Sequence, residues 1–221
     1  MRGTKAAFLD RAAAESGHAF LRFDYSGHGE SGGRFEDGTM GLWLEESLAV
    51  MRALTDGRQV IVGASMGAWL ALLVAKALRA RGEEDRLAGL VLLAPAVDFT
   101  ETLLWDAMPP EARAQLATAG VWLRASAYSS EPYPITKALI EEGRGHLVLG
   151  STIRTFCPVH VIQGMADADV PWRHAMVLVE HLAGDPVTLT LVKDGDHRLS
   201  RAQDLARLRA AVDLMIAAAL E

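Results

Sequence analysis

Gln59-Val60-Ile61-Val62-Gly63-Ala64-Ser65-Met66-Gly67-Ala68-Trp69-Leu70 is the stretch on which the reading of this chain turns. Four mostly apolar, β-branched residues read as a short buried strand, and from Ala68 onward the Ala- and Leu-rich pattern takes on helical spacing. Gly63-x-Ser65-x-Gly67 therefore falls at a strand-to-helix reversal, where a serine in a strained turn is presented to a substrate and needs small neighbours two positions to either side. The five-residue pattern alone recurs by chance. Its position after a strand and before a helix is what makes Ser65 a candidate nucleophile and the Met66 N–H, first in the helix behind it, a candidate oxyanion donor.

Working outward, the chain alternates strands with helices. Gly3 to Gly17 has a helical stripe with a Gly stop. His18 to Tyr25 reads as a strand, and Ser26 to Gly33 as a glycine-dense loop. No Walker lysine follows that loop and its spacing is not that of a dinucleotide fingerprint, so it reads as a tight loop beside a site, with His28 a loop hydrogen-bonder. Met40 to Asp56 is a helix with Trp43 in its apolar stripe. After the Ser65 unit, whose helix runs to about Gly82, Leu87 to Pro95 contains a fully buried strand, and strand-helix-strand makes a parallel unit. Pro158 to Gln163 and Val187 to Val192 are further strands, with a helix opening at Pro171-Trp172 between them and a last amphipathic helix from Ser200 to Leu220.

Between Val97 and Gly150 the alternation breaks. Trp105, Pro109-Pro110, Trp122, Tyr128, Tyr133 and Pro134 punctuate it, with helical patches at Glu111–Thr118 and Ile135–Glu142. The expected organisation is an α/β core of residues 1–98 and 151–221 with a cap of residues 99–150 inserted before the acid-bearing strand. The cap aromatics serve either as an apolar acyl pocket or as fasteners, since both uses select large rigid side chains.

A chain of 221 residues, half of them hydrophobic, builds one well-packed domain. The net charge of −6 comes from dispersed acids without a basic face, which argues against nucleic acid or anionic membrane as partner. No secretory signal or membrane-length apolar window is visible, and the expected location is cytoplasmic. The single cysteine, Cys157, reads as a buried structural thiol. No cofactor motif appears, and no His/Cys/Asp spacing resembles a zinc site; Asp167 with Asp169 is too sparse for a metal.

Ser65, Asp167 and His197 each follow a predicted strand, in the order nucleophile, acid, histidine that belongs to an α/β-hydrolase scaffold. A hydroxyl is a poor nucleophile at neutral pH, so an imidazole must take its proton and a carboxylate must fix the imidazole's tautomer. Asp169, Asp194 and Asp196 are the rival acids. His160 alternates inside a strand, and His174 and His181 lie on a helix.

Gly3-Thr4-Lys5-Ala6, Arg22-Phe23-Asp24-Tyr25-Ser26-Gly27-His28-Gly29, the Ser65 stretch, Gly164-Met165-Ala166-Asp167-Ala168-Asp169-Val170-Pro171-Trp172 and Asp196-His197-Arg198 together resemble the α/β-hydrolase domain-containing protein ten group. The resemblance spans nearly the whole chain. It implies an α/β-hydrolase fold and cleavage of carboxylic esters or thioesters through an acyl-enzyme on Ser65, without cofactor, in the manner of palmitoyl-protein thioesterases and acyl-glucuronide esterases. The implied partner is a small-molecule ester or an acylated protein. It also implies that the helix near Gly3 follows an interior strand and a glycine loop that provides a second oxyanion donor. Met1 stands where that loop ends, so the second donor is expected to be absent or to come from Met1 to Gly3, and a start further upstream is expected. An impaired, non-catalytic hydrolase fold and a carbon-carbon hydrolase or perhydrolase are the competing readings.

Overall fold

Strand formation follows the apolar runs. In the computed structural model, which describes residues 2–125, 132–182 and 184–220, the strands are β1 (Gln59–Ala64), β2 (Leu87–Leu93), β3 (Val121–Arg124), β4 (Tyr133–Thr136), β5 (Val159–Gly164) and β6 (Val187–Val192). β1, β2, β5 and β6 pair in that order, each neighbour parallel. The helices are α1 (Thr4–Ser16), α2 (Met40–Leu54), α3 (Met66–Arg79), α4 (Pro110–Ala119), α5 (Lys137–Gly143), α6 (Trp172–His181) and α7 (Ala202–Leu220). Thr39 caps α2 through its hydroxyl, which accepts from Leu42 N–H, and Gly17 ends α1 in the left-handed conformation.

The sheet is covered on both faces. Leu90 and Leu92 of β2 point into a core with α2, α3 and α6, while Val91 and Leu93 point into a second core with α1 and α7. Such a strand must be apolar at every position, and all of β2 is buried. Cys157 packs in the first core as a free thiol, its pKa pushed by burial up to about 11.

One expected strand does not form. His18 to Phe23 runs without ladder pairing, because β1 is the edge of the sheet and a cavity of about 510 Å³, lined by Phe20, Phe23, Val60, Val62 and Leu70, separates the two backbones. The expectation of a strand at His18–Tyr25 is corrected accordingly: local β-propensity makes no strand without a backbone to pair with.

The excursion between β2 and β5 opens with a π-helical turn, Thr100–Trp105, and continues through α4, the antiparallel pair β3–β4 and α5. The β3–β4 pair was not expected, and Ile135, expected to open a helix, lies in β4; the helix begins after Thr136, whose hydroxyl caps it by accepting from Leu139 N–H. Pro134 and the β-branched Ile135 favour the extended backbone there. Leu104, Met108, Ala112, Leu116, Ile135 and Ile140 form a local core, with Trp105, Trp122 and Tyr133 packed on it. These aromatics act as fasteners, and the Arg113 and Arg144 guanidiniums lie over the Trp105 ring. Tyr128 lies outside the described residues.

One buried carboxylate ties the two ends of this excursion together. Asp98, at a positive φ of 54°, accepts hydrogen bonds from Val148 N–H at 3.0 Å and Leu149 N–H at 2.8 Å. Burial holds its carboxyl above the usual range even against those donors. Asp98→Ala should therefore leave two inner N–H groups unpaired, cost about 2 kcal/mol of stability and speed hydrogen exchange at Val148 and Leu149. Unchanged protection at those amides would contradict this role.

Candidate active site

The backbone at Ser65 carries the local strain of the site. Its φ of 54° and ψ of −121° lie outside the regions an L-residue prefers, a conformation that costs on the order of 1–3 kcal/mol. The turn is held by Ser65 N–H donating to Leu93 O at 2.9 Å and by Ser65 O accepting from Ala68 N–H and Ala96 N–H. A Cβ on Gly63 would sit 2.4 Å from Gly67 O, so only glycine lets α3 pack back against β1. Gly67 differs: a Cβ there would meet nothing within 4 Å outside its own helix, which corrects the expectation that crowding demands both glycines. Met66 opens α3, so its N–H has no helical acceptor and projects from the positive end of the helix dipole beside Ser65.

Asp167 lies on the loop leaving β5, its side chain fully buried. Oδ1 accepts from Asp169 N–H at 2.9 Å and Val170 N–H at 2.8 Å. Oδ2 accepts from His197 Nδ1 at 2.8 Å and from Gln163 Nε2 at 3.2 Å. Burial alone pushes this carboxyl up, yet the hydrogen bonds from His197, Val170 and Asp169 outweigh it and hold the group below the usual carboxylate range. His197, on the loop after β6, turns its other nitrogen toward Ser65, with Nε2 to Oγ at 3.1 Å. With Nδ1 donating to a carboxylate, Nε2 is left with a lone pair aimed at the hydroxyl.

Ser65, His197 and Asp167 thus form one continuous hydrogen-bonded chain across three loops, which is what proton transfer away from a serine hydroxyl requires. The rival acids are occupied otherwise: Asp194 pairs with Arg201 at 2.6 Å, and Asp196 accepts from Leu199 N–H. Asp169 brings a carboxylate near the pair, and one ligand atom each from Asp167, Asp169 and His197 lies within 4.8 Å of the others. A cation seated there would compete with the 2.8 Å bond between Asp167 and His197. Among the other histidines, His160 bonds Thr190 Oγ1, His174 bonds Val97 O and His181 bonds Val177 O. The ring of His28 sits among Phe35 and Trp43 with Nδ1 on Ser26 O. Met1, one expected source of a second oxyanion donor, lies outside the described residues. Gln163 was not singled out from the sequence, although an amide near the end of a mostly apolar strand was the signal available.

The sequence profile of the alpha/beta hydrolase fold matches residues 4–128. Palmitoyl-protein thioesterase ABHD10, mitochondrial, of Homo sapiens is 35% identical over 98% of this chain and 69% of its own length. A solved structure of a protein from Agrobacterium vitis S4 superposes with a TM-score of 0.94 at 51% identity, over 98% of this chain and 83% of that one. Alpha/beta hydrolase domain-containing protein 10 from mouse superposes with a TM-score of 0.86 at 33% identity, over 98% of this chain and 84% of that one. The chain belongs to the α/β-hydrolase fold family, within the group that contains ABHD10.

Proposed function

We propose that this protein is a serine hydrolase of carboxylic esters or thioesters. The observation that carries the reading is the relay in which His197 Nε2 lies 3.1 Å from Ser65 Oγ while Nδ1 lies 2.8 Å from Asp167 Oδ2. In the first step His197 takes the Ser65 proton as Oγ adds to the acyl carbonyl, and the Asp167 carboxylate stabilises the imidazolium. The Met66 N–H faces the developing oxyanion, a position where a single donor is worth about 10²- to 10³-fold in rate. Collapse of the adduct expels the alcohol or thiol, protonated by His197, and leaves the acyl group on Ser65. Water, deprotonated by the same imidazole, then releases the acid and restores the serine.

The finer substrate assignment follows the relatives. ABHD10 of Homo sapiens bears the name of a palmitoyl-protein thioesterase, which favours a long acyl group on a protein thiol, with acyl glucuronides as the small-molecule counterpart. Residues 99–150 act in this reading as a cap that bounds the acyl side of the site, anchored to the core by Asp98, by Glu142 accepting from Gly41 N–H and by His146 O accepting from Trp69 Nε1.

Ser65→Ala and His197→Ala should each lower kcat/KM on an acyl thioester by about 10⁴-fold or more, and the double variant should be no worse than either, because the two residues act as a unit. Independent, multiplying losses would contradict the relay. The pH profile gives a second check. Protonating the imidazole removes the base, so kcat/KM should fall tenfold per unit on the acid side, and the depressed carboxyl of Asp167 stays ionised across that limb. A limb of one-proton slope is expected, and a profile with no acid limb would contradict the assignment.

A further inference from the structure

β5 is a mostly apolar strand that carries two polar side chains: His160, which bonds Thr190 Oγ1 on β6, and Gln163. Gln163 follows Ile162, is fully buried, and projects Nε2 toward three acceptors: Gly164 O at 2.9 Å, Val170 O at 3.1 Å and Asp167 Oδ2 at 3.2 Å. Its Oε1 is buried with no hydrogen-bond partner among the described residues. Exchanging the two amide atoms would turn an oxygen toward three acceptors, so the surroundings dictate the orientation. A half-satisfied buried amide works against folding, and an unbranched apolar side chain of the same length would fill this volume without that burden. The reason for an amide here therefore lies in what its NH₂ group does.

Asp167 supplies that reason. Backbone N–H groups hold Oδ1, whereas Oδ2 is shared between His197 Nδ1 and Gln163 Nε2. A second donor on the oxygen that faces the imidazole fixes the plane of the carboxylate. It also draws charge from that oxygen, weakening its hold on an imidazolium, so the ring gives up its proton more readily and stays available as a base. We propose that Gln163 is a positioning residue that orients the Asp167 carboxylate and sets the basicity of His197 through the oxygen they share; this rests on the relay assigned to Ser65, His197 and Asp167.

The charged groups around the pair come from several elements. Asp169 lies on the same loop as Asp167, Asp196 and Arg198 flank His197, and Lys5 of α1 donates to Arg198 O and interacts with Asp196 and with Asp204 of α7. All of them remain in a Gln163 variant, so a change in His197 titration on substitution reports the lost donor.

The experiment is Gln163→Met, which keeps length and removes the donor, with the His197 ring titrated by NMR in the resting protein. Expected is a rise of the imidazole midpoint by about half a pH unit or more over the unsubstituted protein, with the acid limb of kcat/KM moving by the same amount. A purely structural amide would lower the melting temperature and leave the midpoint in place, and that result overturns the proposal. Should the variant fail to fold, the side-chain amide protons of Gln163 in the unsubstituted protein decide: a shift sharing the midpoint of His197 supports the proposal, and no shift overturns it. Because both titrations are read without turnover, an inactive protein would count against the proposed function while the imidazole midpoint still judges Gln163.

Discussion

The site depends on one close contact, where the loop leaving β6 lies directly on the end of β5. A Cβ on Gly164 would stand 2.3 Å from Gly195 O, and one on Gly195 would stand 2.9 Å from Gly164 Cα. Neighbouring strands lie about 4.8 Å apart, so β6, three places from β1 in the sheet, ends some 14 Å from the strand that carries Ser65. No histidine side chain spans that gap. The loop must travel back across the sheet edge, and two glycines without side chains let it cross over β5 at backbone contact. Leu199, fully buried in the core shared with α7, pins the far end of the crossing, and Asp196 closes the turn through Leu199 N–H.

Strain collects along the same edge. Among the described residues, the non-glycine positions at positive φ are Ser65 after β1, Ala94 and Asp98 after β2, Leu199 after β6, and Phe156, which precedes a strand. Each is over-determined by its neighbours, Ser65 through its hydrogen bond to Leu93 O and Asp98 through its hold on residues 148 and 149. A parallel sheet whose inner strand β2 is buried on both faces is what lets these loops keep conformations that would relax in a peptide. The carboxyl edge is accordingly where side chains can be held at hydrogen-bond distance with little freedom, and where function gathers in open α/β sheets.

Much of this was legible in the order of residues alone. Four parallel strands, their helices and the chain Ser65, Asp167, His197 all carry local signals: β-branched runs, helical stripes, and polar residues placed just after strands. What escaped was non-local. His18 to Phe23 has every strand preference and lacks a partner backbone, a property of the sheet and not of the segment. β3 and β4 exist because they pair with each other, and the short runs Val121–Arg124 and Tyr133–Thr136 say little separately. Gln163 bends back to Asp167 around the turn it precedes, so its role shows only once the loop is folded. The aromatics of the excursion looked equally suited to a pocket or to packing, and the core around Leu104 and Ile140 decides for packing at Trp105, Trp122 and Tyr133.

The central claim is that the Ser65 hydroxyl becomes covalently acylated with His197 as its base. Its most direct test is peptide mapping by mass spectrometry after brief exposure to a fluorophosphonate. A single phosphonyl adduct is expected on the peptide containing Ser65, formed quickly in the unsubstituted protein and orders of magnitude more slowly in His197→Ala. An adduct on another residue, or labelling of Ser65 at the same rate without the imidazole, would contradict it.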